Sequence, residues 1–197
     1  MKKFLSLFLP IIALIFSSCT PASSNDTYFI HAAAFEKESD EYTIYALFEK
    51  AEETEENFFT AASSGKSIEE ATNKLKNEYK DCYFATATVY LISDNAEKSL
   101  IFNLAKEICG GNIYPSKSNI ICIKQTNTHD FIESIRNEDD LKKVLALFEN
   151  HPVNAVRFFS RYFSGKRVSL PALKLDGNKK PISWGSGIFR DNTRSKK

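Results

Sequence analysis

The chain has 197 residues, with 26 Lys and Arg against 25 Asp and Glu and a formal charge of +1. That balance excludes the basic face expected of a nucleic-acid binder and offers no polyanionic tail. Hydrophobic residues at 43%, including 16 Phe and 8 Tyr, exclude disorder, while 7 Gly and 6 Pro are too few for collagen-like or low-complexity sequence.

Lys2 and Lys3 precede an apolar run from Phe4 to Phe16, broken only by Ser6 and Pro10. The run is short of the ~20 residues a membrane-spanning helix needs, and it fits the apolar region of a secretory signal peptide. Ile15-Phe16-Ser17-Ser18-Cys19 resembles a bacterial lipobox, although an aliphatic residue is more usual where Phe16 stands. Residues 1–18 are therefore expected to be a signal peptide. The Cys19 thiol is the expected lipidation site, with cleavage before it and acylation of the new amine. Two or more acyl chains anchor a protein stably where one does not. Residues 19–27 form the anchor and tether. Loss of Lys2 and Lys3 leaves 24 basic against 25 acidic residues over a mature length of 179. That length suits one domain, able to bury roughly 70% of its unfolded surface.

Residues 28–190 carry the alternation of a single mixed α/β domain. Tyr28 to Phe35 and Tyr42 to Phe48 are β-prone runs across a charged turn, which predicts an antiparallel hairpin. Ala51 to Asn57, with its glutamates, predicts an exposed loop closed by Phe58-Phe59. Ser67-Ile68-Glu69-Glu70 is a capping box, and Ile68, Ala71, Leu75 and Tyr79 follow as the apolar stripe of a helix. Thr86 to Ile92 reads as a buried central strand. Asp94 or Asn95 can cap a second helix carrying Ile101, Leu104, Ala105 and Ile108, ended by Gly110-Gly111. Ile120 to Ile123 supplies another buried strand. Two further stripes are Leu141, Val144, Leu145, Phe148 and Val153, Val156, Phe159, Phe163. Val168 to Leu175 reads as an extended segment, with Pro171 at an edge or strand end. A turn at Asp176-Gly177 leads to a last strand from Ile182 to Phe189. Strand–helix alternation from Tyr42 to Ile123 implies crossovers, hence a central mixed β-sheet flanked by helices. Residues 191–197 are a basic tail expected to fray.

Cys82, Cys109 and Cys122 contain no C-x-x-C spacing, so neither a zinc site nor a redox pair is signalled. Burial as small side chains is expected, with one disulfide among them left open. Gly65-Lys66-Ser67 lacks the earlier glycine of a phosphate loop, since position 60 is Thr60. Ser63-Ser64-Gly65-Lys66 has the S-x-x-K spacing of serine acyl-enzymes, but its companion motifs are missing. His31, His129 and His151 show no metal-binding spacing. Asp139-Asp140 suits a helix N-terminus, and Gly185-Ser186-Gly187 has no following helix to hold a phosphate. No catalytic set, metal site or cofactor is expected, and the chain is not read as an enzyme.

One constellation suggests binding. Arg157 and Arg161 lie at i, i+4 on one side of a helix, with Phe158 and Tyr162 alongside them and Arg167 following. Either this is a core helix with a solvated basic edge, or it is a surface for anionic headgroups or an acidic partner.

Taken in order, these segments resemble the membrane-proximal half of the spore-germination receptor C-subunit lipoproteins, the Ger(x)C family. The resemblance runs from Cys19 through the hairpin Tyr28–Phe48 and the Ser67-Ile68-Glu69-Glu70-Ala71 helix with Leu75. It continues in Tyr83-Phe84-Ala85-Thr86-Ala87-Thr88-Val89-Tyr90-Leu91-Ile92 and in Asn112-Ile113-Tyr114-Pro115 to Ile123. It ends with Ser169-Leu170-Pro171-Ala172-Leu173-Lys174-Leu175 and Gly187-Ile188-Phe189-Arg190. Thr86 and Ala85 stand where many members have histidine and glycine. Family members continue for a further domain, so the 179 mature residues are expected to be one half of a longer architecture. The resemblance implies a non-catalytic assembly module, lipid-anchored on the extracytoplasmic face of the cell or spore inner membrane beside integral-membrane germinant-receptor subunits. The alternative is a lipid-anchored binding protein for a small nutrient, suggested by the aromatic content.

Overall fold

The computed structural model describes residues 28–49, 57–80, 82–111, 113–149 and 152–191. Residues 1–27, which hold the expected signal peptide, Cys19 and the expected tether, lie outside the described residues, as do positions 51–56 of the acidic segment, His151 and positions 192–197.

The expected hairpin opens the domain. β1 (Tyr28–Glu38) pairs antiparallel with β2 (Glu41–Glu49), and Ser39 in the turn takes the left-handed φ of 53°. The register of β1 slips between Ile30 and Ala32. This bulge at His31 breaks the two-residue alternation, so Ile30, Ala33 and Phe35 face one side while Ala32 and Ala34 face the other. β3 (Phe58–Gly65) then pairs antiparallel with β2. After it come α1 (Ile68–Glu78), the two-residue β4 (Cys82–Tyr83), a 3-10 turn (Phe84–Thr86), β5 (Val89–Ser93), α2 (Lys98–Gly110) and β6 (Asn119–Ile123). The remainder is α3 (Thr128–Glu133), α4 (Glu138–Ala146), α5 (Ala155–Phe163), β7 (Val168–Leu175) and β8 (Pro181–Phe189).

All of these strands join one sheet in the order β3-β2-β1-β5-β6-β7-β8, with β4 also on β1. The β1–β5, β5–β6 and β6–β7 pairs are parallel, and both flanks are antiparallel hairpins. The mixed sheet flanked by helices is thus the expected single α/β domain. α1, α2 and α5 pack on one face through Leu75, Leu104 and Phe158, against Phe35, Tyr90 and Ile120. α3 and α4 pack on the other through Phe131 and Val144, against Leu91 and Ile121. β5 lies between the layers, which is why Val89, Tyr90, Leu91 and Ile92 are all fully buried.

Several local expectations are corrected. Phe58-Phe59 does not close a loop: it begins β3, and Ser63, Ser64 and Gly65 are strand residues. Gly65 is needed at the junction because a Cβ there would stand 2.9 Å from the Ala71 amide nitrogen. The capping box at α1 forms, with the Glu70 amide donating to Ser67 Oγ at 3.0 Å. Its carboxylate reaches one residue further than expected, accepting from the Lys66 amide. α2 starts at Lys98 rather than after Asp94 or Asn95, because Ser93 and Asn95 bond to each other in a turn. Pro171 is not at an edge: β7 lies between β6 and β8. It is tolerated because the β6 ladder begins only at Ala172 and the register with β8 slips at this point. Cys82 and Cys122 are buried as expected, but Cys109 is exposed, and all three are thiols. The end of the domain is tied down rather than frayed at Asp191, which is buried and ion-paired with Lys98 at 2.9 Å.

Candidate interaction surface

α5 carries the constellation singled out in the sequence. Asn154 caps it, accepting the Arg157 amide through Oδ1 at 2.8 Å. Its buried stripe is Ala155, Phe158, Phe159 and Tyr162, an i, i+3, i+4, i+7 set. This corrects the expected surface: Phe158 and Tyr162 are core residues, not companions of the arginines. Phe158 packs on Phe189 of β8 at 5.5 Å between ring centroids, and Tyr162 stacks on Phe158 at 5.9 Å. Burial and the nearby Asp191 carboxylate push the Tyr162 phenol up. Val156, expected in the core, is exposed instead. The stripe differs from the expected one because Val153 lies before the Asn154 cap and is not part of the helix.

Arg157, Arg161 and Arg167 are exposed. Arg157 and Arg161 line a groove of about 540 Å³ together with Phe148, Val153, Ser169 and Pro171. The groove opens where β6 and β7 diverge, since their ladder is confined to Cys122–Ala172 and Ile123–Leu173. It joins two guanidinium groups to an apolar wall, a composition suited to an acidic partner segment.

A second, larger groove of about 890 Å³ lies beyond the C-terminal ends of β6 and β7. Gln125, Thr126, Asp130, Arg136, Lys180 and Pro181 are among its walls. Sequence reasoning missed it because its residues come from short turns and from α3, α4 and the ends of β7 and β8. Much of its charge is already engaged. Asp176 accepts the Asn178 and Lys180 amides at 2.8 Å, and Asp140 accepts the Asn137-capped turn's Arg136 amide at 3.3 Å.

Among the described residues, His31 and His129 are less isolated than their spacing implied. His31 pairs with Glu49 at 2.7 Å and stacks on Phe58. His129 Nε2 meets Glu133 at 3.0 Å, and with Asp130 these donors lie within 4.8 Å of one another on an exposed surface. The i, i+4 contact between His129 and Glu133 accounts for that cluster. Ser63 lies in β3 and Lys66 is exposed beyond its end, so the S-x-x-K spacing does not fall within one helical turn. No helix among the described residues is long and apolar enough to cross a membrane.

A family model described as the spore germination protein N-terminal domain matches residues 22–175, ending with β7. No curated protein and no solved structure matches the chain.

Proposed function

From the premise that the chain belongs to the spore germination protein N-terminal domain family, we propose that it is a lipid-anchored, non-catalytic subunit. Its role is to contact integral-membrane germinant-receptor proteins on the extracytoplasmic face. The observation that carries this reading is the family match over residues 22–175 directly downstream of Cys19. The exposed arginines of α5, beside an apolar groove, support a protein-binding role. The Cys19→Ser chain should be lost from the membrane fraction, and metabolic labelling with an alkyne fatty acid should mark only the unsubstituted chain. Spores lacking the gene should germinate slowly in nutrient and recover with wild-type protein. Normal germination of the deletion strain would overturn the proposal.

The larger groove favours a second reading, binding of a small polar nutrient between Arg136, Asp130 and Lys180. Ligand-dependent thermal stabilisation in a metabolite panel would select it.

A further inference from the structure

β4 is only two residues long, yet it fixes a specific neighbour. Its parallel pairing with β1 sets Tyr28 opposite Cys82 and Phe29 opposite Tyr83. Cys82 is buried in the core on the α1–α2 face, so alternation turns Tyr83 to the opposite face, as it does Phe29. There the two rings stack at 6.3 Å with 29° between their planes, yet remain 44% and 49% exposed. α3 covers this face only farther along the sheet, over Ala32, Ala34 and Leu47. Other exposed aromatics are engaged differently: Phe102 meets Phe163 edge-on, and Lys174 sits over the Trp184 ring.

The position of the stack identifies its occupant. Phe29 is the second residue of the domain and lies ten residue steps along the chain from Cys19. Ten residues reach at most ~35 Å when fully extended. The lipid anchor therefore keeps this end of β1 near the headgroups. A nearly neutral domain has little net charge to orient it there. Aromatic rings with an apolar body, one of them with a polar tip, are the side chains that settle at a membrane–water interface.

We infer that the Phe29–Tyr83 stack is a membrane contact, seated among the headgroups and upper acyl chains of the bilayer holding Cys19, and that it sets the orientation of the domain. β1 then stands away from the surface, its eleven residues spanning ~35 Å. The β1–β2 turn and the larger groove face away from the lipid. The inference rests on the anchored reading proposed above.

The test uses the full lipidated chain in phosphatidylcholine vesicles containing lipids brominated near the headgroup. Trp184, the single tryptophan, is replaced by Phe. A reporter is then placed at the stack as Tyr83→Trp or, independently, Phe29→Trp, and at the hairpin turn as Asp40→Trp. Both stack reporters should lose much of their emission to bromine and shift to shorter wavelength, while the Asp40→Trp protein keeps its emission. Flotation is measured on the same samples. A chain that floats without quenching at either stack position overturns the membrane contact and leaves the anchor standing. Equal quenching at the stack and the turn overturns the orientation. A chain that does not float overturns the contact and the anchor together.

Discussion

Thr72 and Tyr114 form a buried hydroxyl pair whose direction follows from counting protons. Thr72 is 1% exposed and Tyr114 3%. Thr72 Oγ1 lies 2.6 Å from the Ile68 carbonyl and 2.6 Å from Tyr114 Oη. A carbonyl can only accept, so the one Thr72 proton goes to Ile68 and Tyr114 must donate to Thr72. Burial, the leading cause, pushes the Tyr114 phenol far up and keeps it a donor. Thr72→Val preserves shape but leaves the phenol proton without its acceptor, at a cost of about 2 kcal/mol. Tyr114→Phe leaves Thr72 bonded to Ile68 and should cost only about 1 kcal/mol. The double variant removes donor and acceptor together and should cost no more than Thr72→Val alone. At about 2–4 °C per kcal/mol for a domain of this size, Thr72→Val lowers Tm by about 4–8 °C. Thermal and urea unfolding of the detergent-solubilised protein, followed by circular dichroism, completes the cycle. A double variant that loses the sum of the two single costs would refute the donor assignment.

Gly187 should tolerate no side chain, because its Cβ would stand 2.7 Å from the Cβ of buried Cys122; Gly187→Ala should cost about 1–3 kcal/mol in urea unfolding. Cys109 should be the first of Cys82, Cys109 and Cys122 to be alkylated, as the exposed one. Partial burial raises its thiol pKa, so the reaction quickens above neutral pH, while Cys122, pushed up to about 12 by burial, waits for unfolding; mass mapping of labelled peptides reads the order. Tyr45 is held protonated to about pH 12, chiefly by burial and then by the Glu36 carboxylate, whereas an unfolded phenol ionises near pH 10. Its contribution to stability is therefore intact below about pH 10 and is lost as pH rises towards 12; Tyr45→Phe should flatten that decline in alkaline unfolding curves.

The buried strands were legible because composition alone marks them. Val89 to Ile92 and Ile120 to Ile123 are nearly free of polar residues, as strands covered on both faces must be. The first helix was equally clear from its cap and stripe. β3 was not, since its Phe58-Phe59 start follows a glutamate-rich segment and its Ser63-Ser64-Gly65 end resembles a turn. α3 is six residues long, too short to display a helical period. A signal was nevertheless present: Asn127, Asn137 and Asn154 each cap a helix by accepting the amide three residues on.

For the surface, exposure of the arginines was legible but the phase of α5 was not. Spacing from Val153 placed Val156 inside and Phe158 outside, the reverse of what packing against Phe189 imposes. A stripe of four residues can slide by one position when large apolar residues stand on both sides of it, as in Val156, Phe158, Phe159, Tyr162 and Phe163. The cap at Asn154 fixes the phase. The larger groove, and the Phe29–Tyr83 stack that β4 creates, depend on contacts between segments distant in the chain, which no local pattern reveals.

The central claim is that this domain works at the membrane by holding integral-membrane germination proteins. It is tested most directly by affinity purification of the tagged full chain from detergent-solubilised spore inner membranes after mild crosslinking. Mass spectrometry should identify multi-span germinant-receptor proteins, recovered with the wild-type chain and depleted with Arg157→Glu/Arg161→Glu. Recovery of the folded, membrane-bound chain without such proteins would contradict the account.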